Sequence, residues 1–280
     1  MLWLQKLLPH DQINKLAKML ANCHVKWIKN ILIYSFIRKY AINLQEAEQS
    51  DPFAYKNFND FFIRKLKHDV RRINPDHKII VSPCDGYISE YGDINDNALI
   101  QAKEKNLSLK DLLANQTNSV NSQIFENGKF LTIYLAPHNY HRIHMPITAT
   151  LKQMIYVPGK LFSVNPIIVK KMPNIFTINE RVINIFDSEL GKIAIILVGA
   201  MVVGSIATQW HGEVISDKPK TIQVWDYYHL NLTFNRGNEM GLFQLGSTVI
   251  ILFENHKLDF CLNFAPNQII KMGEKILFHT

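Results

Sequence analysis

From residue 78 onward the chain is built of short β-rich runs, and that texture limits its fold more than any other feature. KIIVS (78–82), KFLTIYL (129–135), KIAIILVG (192–199), TIQVW (221–225) and STVIILF (247–253) each have the length of a strand. They are rich in Ile, Val, Phe and Tyr, and stretches holding Gly, Pro, Asn or Asp separate them, which argues for a mainly β domain. Within it one stretch, 108–115, reads as a short helix. Ser108 is its N-cap, and Leu109, Leu112 and Leu113 are spaced for one face.

Upstream the period changes to that of a helix. Ile13, Leu16, Ala17 and Leu20 fall on one face of an expected helix, with Lys15 and Lys18 off it. A second stretch carries Trp27, Ile28, Ile31 and Leu32 beside Lys26 and Lys29 and ends in Arg38 and Lys39. Trp and basic residues flanking an apolar face suit a helix lying in a membrane interface, and packing on the protein's own core is the competing reading. A polar connector ends at Ser50-Asp51-Pro52. The expected fold class is therefore α+β: N-terminal amphipathic, membrane-associating helices over 1–45, followed by a mainly β catalytic domain over 46–280.

Composition narrows the function. With 280 residues, 47% hydrophobic and 20% charged, the chain can bury a sizeable core, so a disordered chain is excluded. The net charge of +7 favours an anionic partner: nucleic acid, an acidic membrane, or a phosphate-bearing substrate. Segment 58–66 mixes aromatic and basic residues, but no recognition module accompanies it, and no nucleic-acid partner is expected. Cys23, Cys84 and Cys261 form no C-x-x-C pair, which suits a reducing compartment. The start, MLWLQKLLPHDQINK, soon meets Pro9, Asp11 and Lys15 and does not read as a secretory signal. The longest apolar run, 193–207, is interrupted by Gly199 and Gly204 and is too short to span a bilayer.

Three short motifs carry chemistry only in combination. Gly246-Ser247-Thr248 before a strand is by itself a turn, as is Asp85-Gly86. His138, His141 and His144, spaced by three, could suggest a metal cluster, but Pro137 and Pro146 argue against the long helix that would put them on one face. In a strand, His141 and His144 point to opposite faces, and no metal is expected. Six ordered segments change the weight of these residues: FNDFFIRKL (58–66), SPCDG (82–86), YLAP through HMP (134–146), PGKLFSVN (158–165), NER (179–181) and LGST (245–248). Together they resemble the phosphatidylserine decarboxylase family, from residue 58 to the end.

The resemblance implies a pyruvoyl-dependent, self-processing enzyme of bacterial type. The Gly246-Ser247 bond would be cut to leave 1–246 (the beta chain) and 247–280 (the alpha chain), with Ser247 becoming a covalent pyruvoyl cofactor. His144 would deprotonate Ser247, Asp85 would orient that imidazole, and His141 would serve the decarboxylation stage. The substrate would be phosphatidylserine in an anionic membrane and the products phosphatidylethanolamine and carbon dioxide. A homodimer, peripheral on the cytoplasmic side of the cell inner membrane, is also implied.

The chemistry explains why such residues are needed. Decarboxylating an amino acid leaves a carbanion that no ordinary side chain delocalises, so an imine-forming carbonyl is required as a sink. Attack of the Ser247 hydroxyl on the Gly246 carbonyl gives an ester, which β-eliminates to dehydroalanine and hydrolyses with loss of ammonia to pyruvoyl. Serine is a weak nucleophile and needs a positioned base. Two other readings stay open here: a Ser-His-Asp or zinc hydrolase, and a catalytically inactive membrane-associated homologue.

Overall fold

The computed structural model describes residues 10–101, 105–114, 120–172, 174–200, 205–214, 219–244, 247–254, 257–261, 264–265 and 267–279. Two helices come first, α1 (His10–Ala21) and α2 (Lys26–Tyr40), followed by the short α3 (Phe58–Phe62). Strands β1 (Ile79–Val81), β2 (Gly86–Asn95), β3 (Ala98–Gln101) and β4 (Lys105–Ser108) lead into α4 (Leu109–Leu112). Next come β5 (Lys129–Leu135), β6 (Arg142–His144), β7 (Ala149–Val157), α5 (Pro166–Lys171) and α6 (Ile175–Ile178). Strands β8 (Arg181–Ser188), β9 (Gly191–Val198), β10 (Ile206–Thr208), β11 (Gly212–Glu213), β12 (Gln223–Asp226) and β13 (Thr233–Phe234) follow. The chain ends with β14 (Glu239–Phe243), β15 (Ser247–Phe253), β16 (Leu258–Phe260), β17 (Ile269–Ile270) and β18 (Lys275–His279). The α+β class with a mainly β body is as expected.

A large antiparallel sheet runs β12-β7-β8-β9-β15-β5-β2-β3-β4, and β15 lies at its centre between β9 and β5. Every residue of β15 is buried. Alternation splits the strand between two cores: Val249, Ile251 and Phe253 enter one, Ile250 and Leu252 the other. The first core is shared with Ile143, Ile206, Met240 and Phe243 of a four-stranded sheet, β11-β10-β14-β6. The second is covered by Leu109, Leu112 and Leu113 around α4 and by Ile168, Ile175 and Phe176 of α5 and α6. Ser108 caps α4 as expected, accepting from Asp111 N at 3.2 Å.

Helices α5 and α6 were not expected. Asn165 accepts from Ile168 N at 2.9 Å and Pro166 occupies the first turn of α5, a start signal hidden by the brevity of the helix. The apolar run 193–207 divides between β9 and β10, and residues 201–204, with Gly204, lie outside the described residues. Among the described residues no helix is long and apolar enough to cross a membrane.

Helix α2 is apolar on two sides. Ile33 is fully buried in a small third core with Ile42, Tyr55 and Phe61, and Lys29 reaches over it to donate to the carbonyls of Phe53 and Tyr55 (2.7 and 2.8 Å). The opposite side exposes Trp27 (67%), Ile31 (56%) and Tyr34 (57%). The helix therefore packs on the protein and presents an apolar face outward.

Candidate active site

Ser247 opens β15 opposite Leu135 of β5, on the same face as Val249. It is 1% exposed, and its Oγ has no hydrogen-bond partner. Leu245 and Gly246 lie outside the described residues, so the expected scissile bond is described from its Ser247 side alone. The segment 136–141, between β5 and β6, faces this step from both flanks. Leu135 pairs with Ser247 on one side, and His141 O accepts from Phe243 N (3.0 Å) on the other.

His141 is fully buried, with the Phe62 ring 4.2 Å from its own. Its Nδ1 lies 2.8 Å from Asn139 O; a carbonyl only accepts, so Nδ1 carries the hydrogen and Nε2 presents a lone pair. That Nε2 is buried and has no partner. Burial pushes the imidazole pKa down to about 3, so the ring is neutral at physiological pH.

His144 is held at both nitrogens. Nδ1 donates to Gly237 O (2.8 Å), and Nε2 accepts from the Tyr140 hydroxyl (3.0 Å). Burial lowers its pKa, with the bond to Gly237 O opposing the shift. The Tyr140 phenol is pushed up by burial and keeps its proton for His144.

Asp85 precedes β2, where Gly86 is required by crowding: a Cβ there would sit 2.6 Å from Tyr134 O. The carboxylate accepts from Arg71 Nε and from Met272 N, both at 2.9 Å, and from Arg71 Nη2 at 2.5 Å. Arg71 also holds Glu46 at 2.8 Å. Buried Arg71 would lose proton affinity through desolvation, but its bonds and charge pairing with Asp85 and Glu46 win and raise its pKa. The segments of Asp85 and His144 lie side by side in space, since His144 N donates to Pro83 O (2.8 Å). Among the described residues, however, no hydrogen bond joins Asp85 to either imidazole or either imidazole to Ser247. The expected residues meet at one end of the sheet without the Ser-His-Asp chain being closed.

Arg71, Tyr140 and Gly237 were not expected from the sequence. Arg71 lies in KHDVRRI (67–73), which has no period or motif to single it out. Gly237 contributes only a backbone carbonyl. Arg142, next to His141, ties the site to its surroundings by donating to Ile63 O (2.8 Å) and pairing with Glu239 (2.7 Å). A cavity of about 250 Å³ opens beside the cluster, walled by Tyr40, Arg64, Arg71, Asp85, His138 and Tyr140.

Residues 58–278 match the family model described as Phosphatidylserine decarboxylase, and residues 2–41 match a second, described as PSD. The chain belongs to the phosphatidylserine decarboxylase family. It is 48% identical over 269 residues to the phosphatidylserine decarboxylase proenzyme of Francisella tularensis subsp. novicida, covering 95% of this chain and 92% of that one. It is 49% identical over 257 residues to the protein of the same name from Baumannia cicadellinicola, covering 90% and 87%. Phosphatidylserine decarboxylases are carboxy-lyases, and the family expected from the ordered motifs is borne out. In this decarboxylase, Ser247 carries an unspent hydroxyl, His141 carries an unspent ring nitrogen, and Asp85 is fully engaged.

Proposed function

We propose that this decarboxylase converts phosphatidylserine to phosphatidylethanolamine and carbon dioxide with a pyruvoyl group that it makes from its own Ser247. One observation carries the reading: the Oγ of Ser247 is buried at the head of the central strand with no hydrogen bond. An unpaired buried hydroxyl destabilises the fold by about 1–3 kcal/mol, and although Thr248 Oγ1 beside it is unpaired as well, Ser247 is the one that follows Gly246. An unpaired hydroxyl directly after Gly246 in the sequence suits a single intramolecular attack.

The residues around Ser247 fit the group. Once formed, the pyruvoyl carbonyl supplies the electron sink for the carbanion. His144, neutral and lone-paired at Nε2, is the base for the Ser247 proton, and Tyr140 must release that nitrogen when it acts. Asp85 supports the cationic imidazole through its field, with Arg71 fixing the carboxylate. His141 Nε2, unbonded and carrying a lone pair, serves the decarboxylation stage by accepting a hydrogen bond from the substrate.

Substrate access is part of the same proposal. Leu16, Met19, Val25, Trp27, Ile31 and Tyr34 are exposed on α1 and α2 or between them, with Lys15, Lys26, Arg38 and Lys39 in the same two helices. Such a surface suits contact with an anionic membrane face, at the inner membrane's cytoplasmic side. Helix α2 ends at Tyr40, a wall of the cavity, so an interfacial helix would lead a head group toward the site. A homodimer completes the reading and is checked by light scattering. Binding to vesicles containing phosphatidylserine is expected to fall when Trp27 and Ile31 are both changed to Ser, and undiminished flotation would refute the membrane role.

A further inference from the structure

We propose that Arg64 is the phosphate-binding residue of the substrate cavity, taking the anionic phosphodiester of the head group. Arg64 is 6% exposed and follows α3 in the wall of the 250 Å³ cavity. Its Nη2 donates to His138 O (3.1 Å), while Nε and Nη1 are buried without partners. A guanidinium stays protonated in a protein, so these N–H groups remain donors lacking an acceptor until an anion arrives. The carboxylates lining the cavity, Glu46 and Asp85, are both bonded to Arg71, and Arg64 has no ion pair among the described residues. The remaining charge is Lys271, exposed at the rim, while His138 Nε2 shares a hydrogen bond with Tyr87 (3.3 Å).

The choice of phosphodiester rests on the decarboxylation reading and on the electron movement it requires. A cation bonded to the departing carboxylate would hold charge on the group that must lose it, and so would slow the reaction. The phosphodiester keeps its charge throughout and can be gripped without that penalty. In the head group, phosphorus lies four bonds from the amine that must meet the Ser247 carbonyl. In the fold, one segment separates the two places: residues 136–141 carry His138 O, the acceptor for Arg64, and are flanked by Leu135 opposite Ser247.

Soluble glycerophosphoserine, which removes membrane binding from the measurement, is the probe. Arg64→Gln is expected to process into two chains like wild type and to raise KM about tenfold or more at nearly constant kcat, with Arg64→Lys recovering part. Lys271→Glu, a change at an exposed position, is expected to raise KM about threefold. If Arg64→Gln fails to fold, Lys271→Glu carries the test, and an unchanged KM in it overturns the assignment. Glycerophosphoethanolamine is expected to compete well and inorganic phosphate weakly. Equal competition by inorganic phosphate would overturn the assignment to a diester. A wild-type enzyme that decarboxylates neither the lipid nor the probe would sink the reaction reading itself, whereas normal wild-type activity with unaltered KM in both variants sinks only the subsite.

Discussion

Two clusters at the same end of the sheet treat their hydrogen-bonding capacity in opposite ways. Around Asp85 and Arg71 it is spent: the carboxylate accepts from two nitrogens of Arg71 and from Met272 N, and Arg71 reaches Glu46 as well. Around Ser247 and His141 it is withheld, with Oγ and Nε2 both buried and both without partners. Satisfied groups lower the energy of the fold and hold their neighbours in place. Unsatisfied ones raise it, and here two of them belong to residues that the proposed reaction uses.

The contrast predicts opposite outcomes for mutation. Ser247→Ala should abolish both processing and decarboxylation and yet leave stability unchanged or about 1 kcal/mol higher, since it removes an unpaired hydroxyl. A marked loss of stability in thermal denaturation would show that the hydroxyl is bonded after all. Arg71→Met should do the reverse first: it strands two carboxylates, one of them buried, and should reduce stability by about 3–5 kcal/mol in a denaturant titration. If it costs nothing, the Asp85 cluster is not the rigid half of the pair.

Smaller effects sharpen the division between the histidines. His144→Ala should block cleavage, while His141→Ala should leave substantial cleavage and depress decarboxylation; equal loss of cleavage in both would undo this assignment. Tyr140→Phe frees His144 Nε2 from a competing donor and should speed processing a few-fold, as followed by gel in a time course. Slower processing would make the phenol a relay. His141 has a folded-state pKa near 3, below its unfolded value, so the unfolded chain takes up the proton first. Its contribution to stability is complete above about pH 6.5 and is lost as pH falls toward 3. His141→Gln should flatten that acid slope, and an unaltered slope would place the titration elsewhere.

The same contrast explains what could be read from the sequence. The strands STVIILF and KFLTIYL announced themselves through continuous apolar runs, because β15 and β5 are buried at the centre of the sheet. Ser247, Asp85, His141 and His144 stood in ordered motifs. Arg71 did not, because its role comes from a contact made 14 residues along the chain and 25 residues back, to Asp85 and Glu46, with no local pattern. Nor could the sequence tell that Tyr140 and Gly237 would hold His144, since one is an ordinary aromatic and the other acts through its carbonyl. Helix α2 was readable as apolar and basic, but its two apolar faces emerged only when Ile33 packed inward and Trp27 outward.

Intact-mass measurement of the purified protein, paired with a decarboxylation assay on the same sample, tests the central claim most directly. The account predicts two chains, 1–246 and 247–280, the second starting with a blocked pyruvoyl group and appearing in step with activity. A single uncut polypeptide that decarboxylates phosphatidylserine at full rate would contradict it.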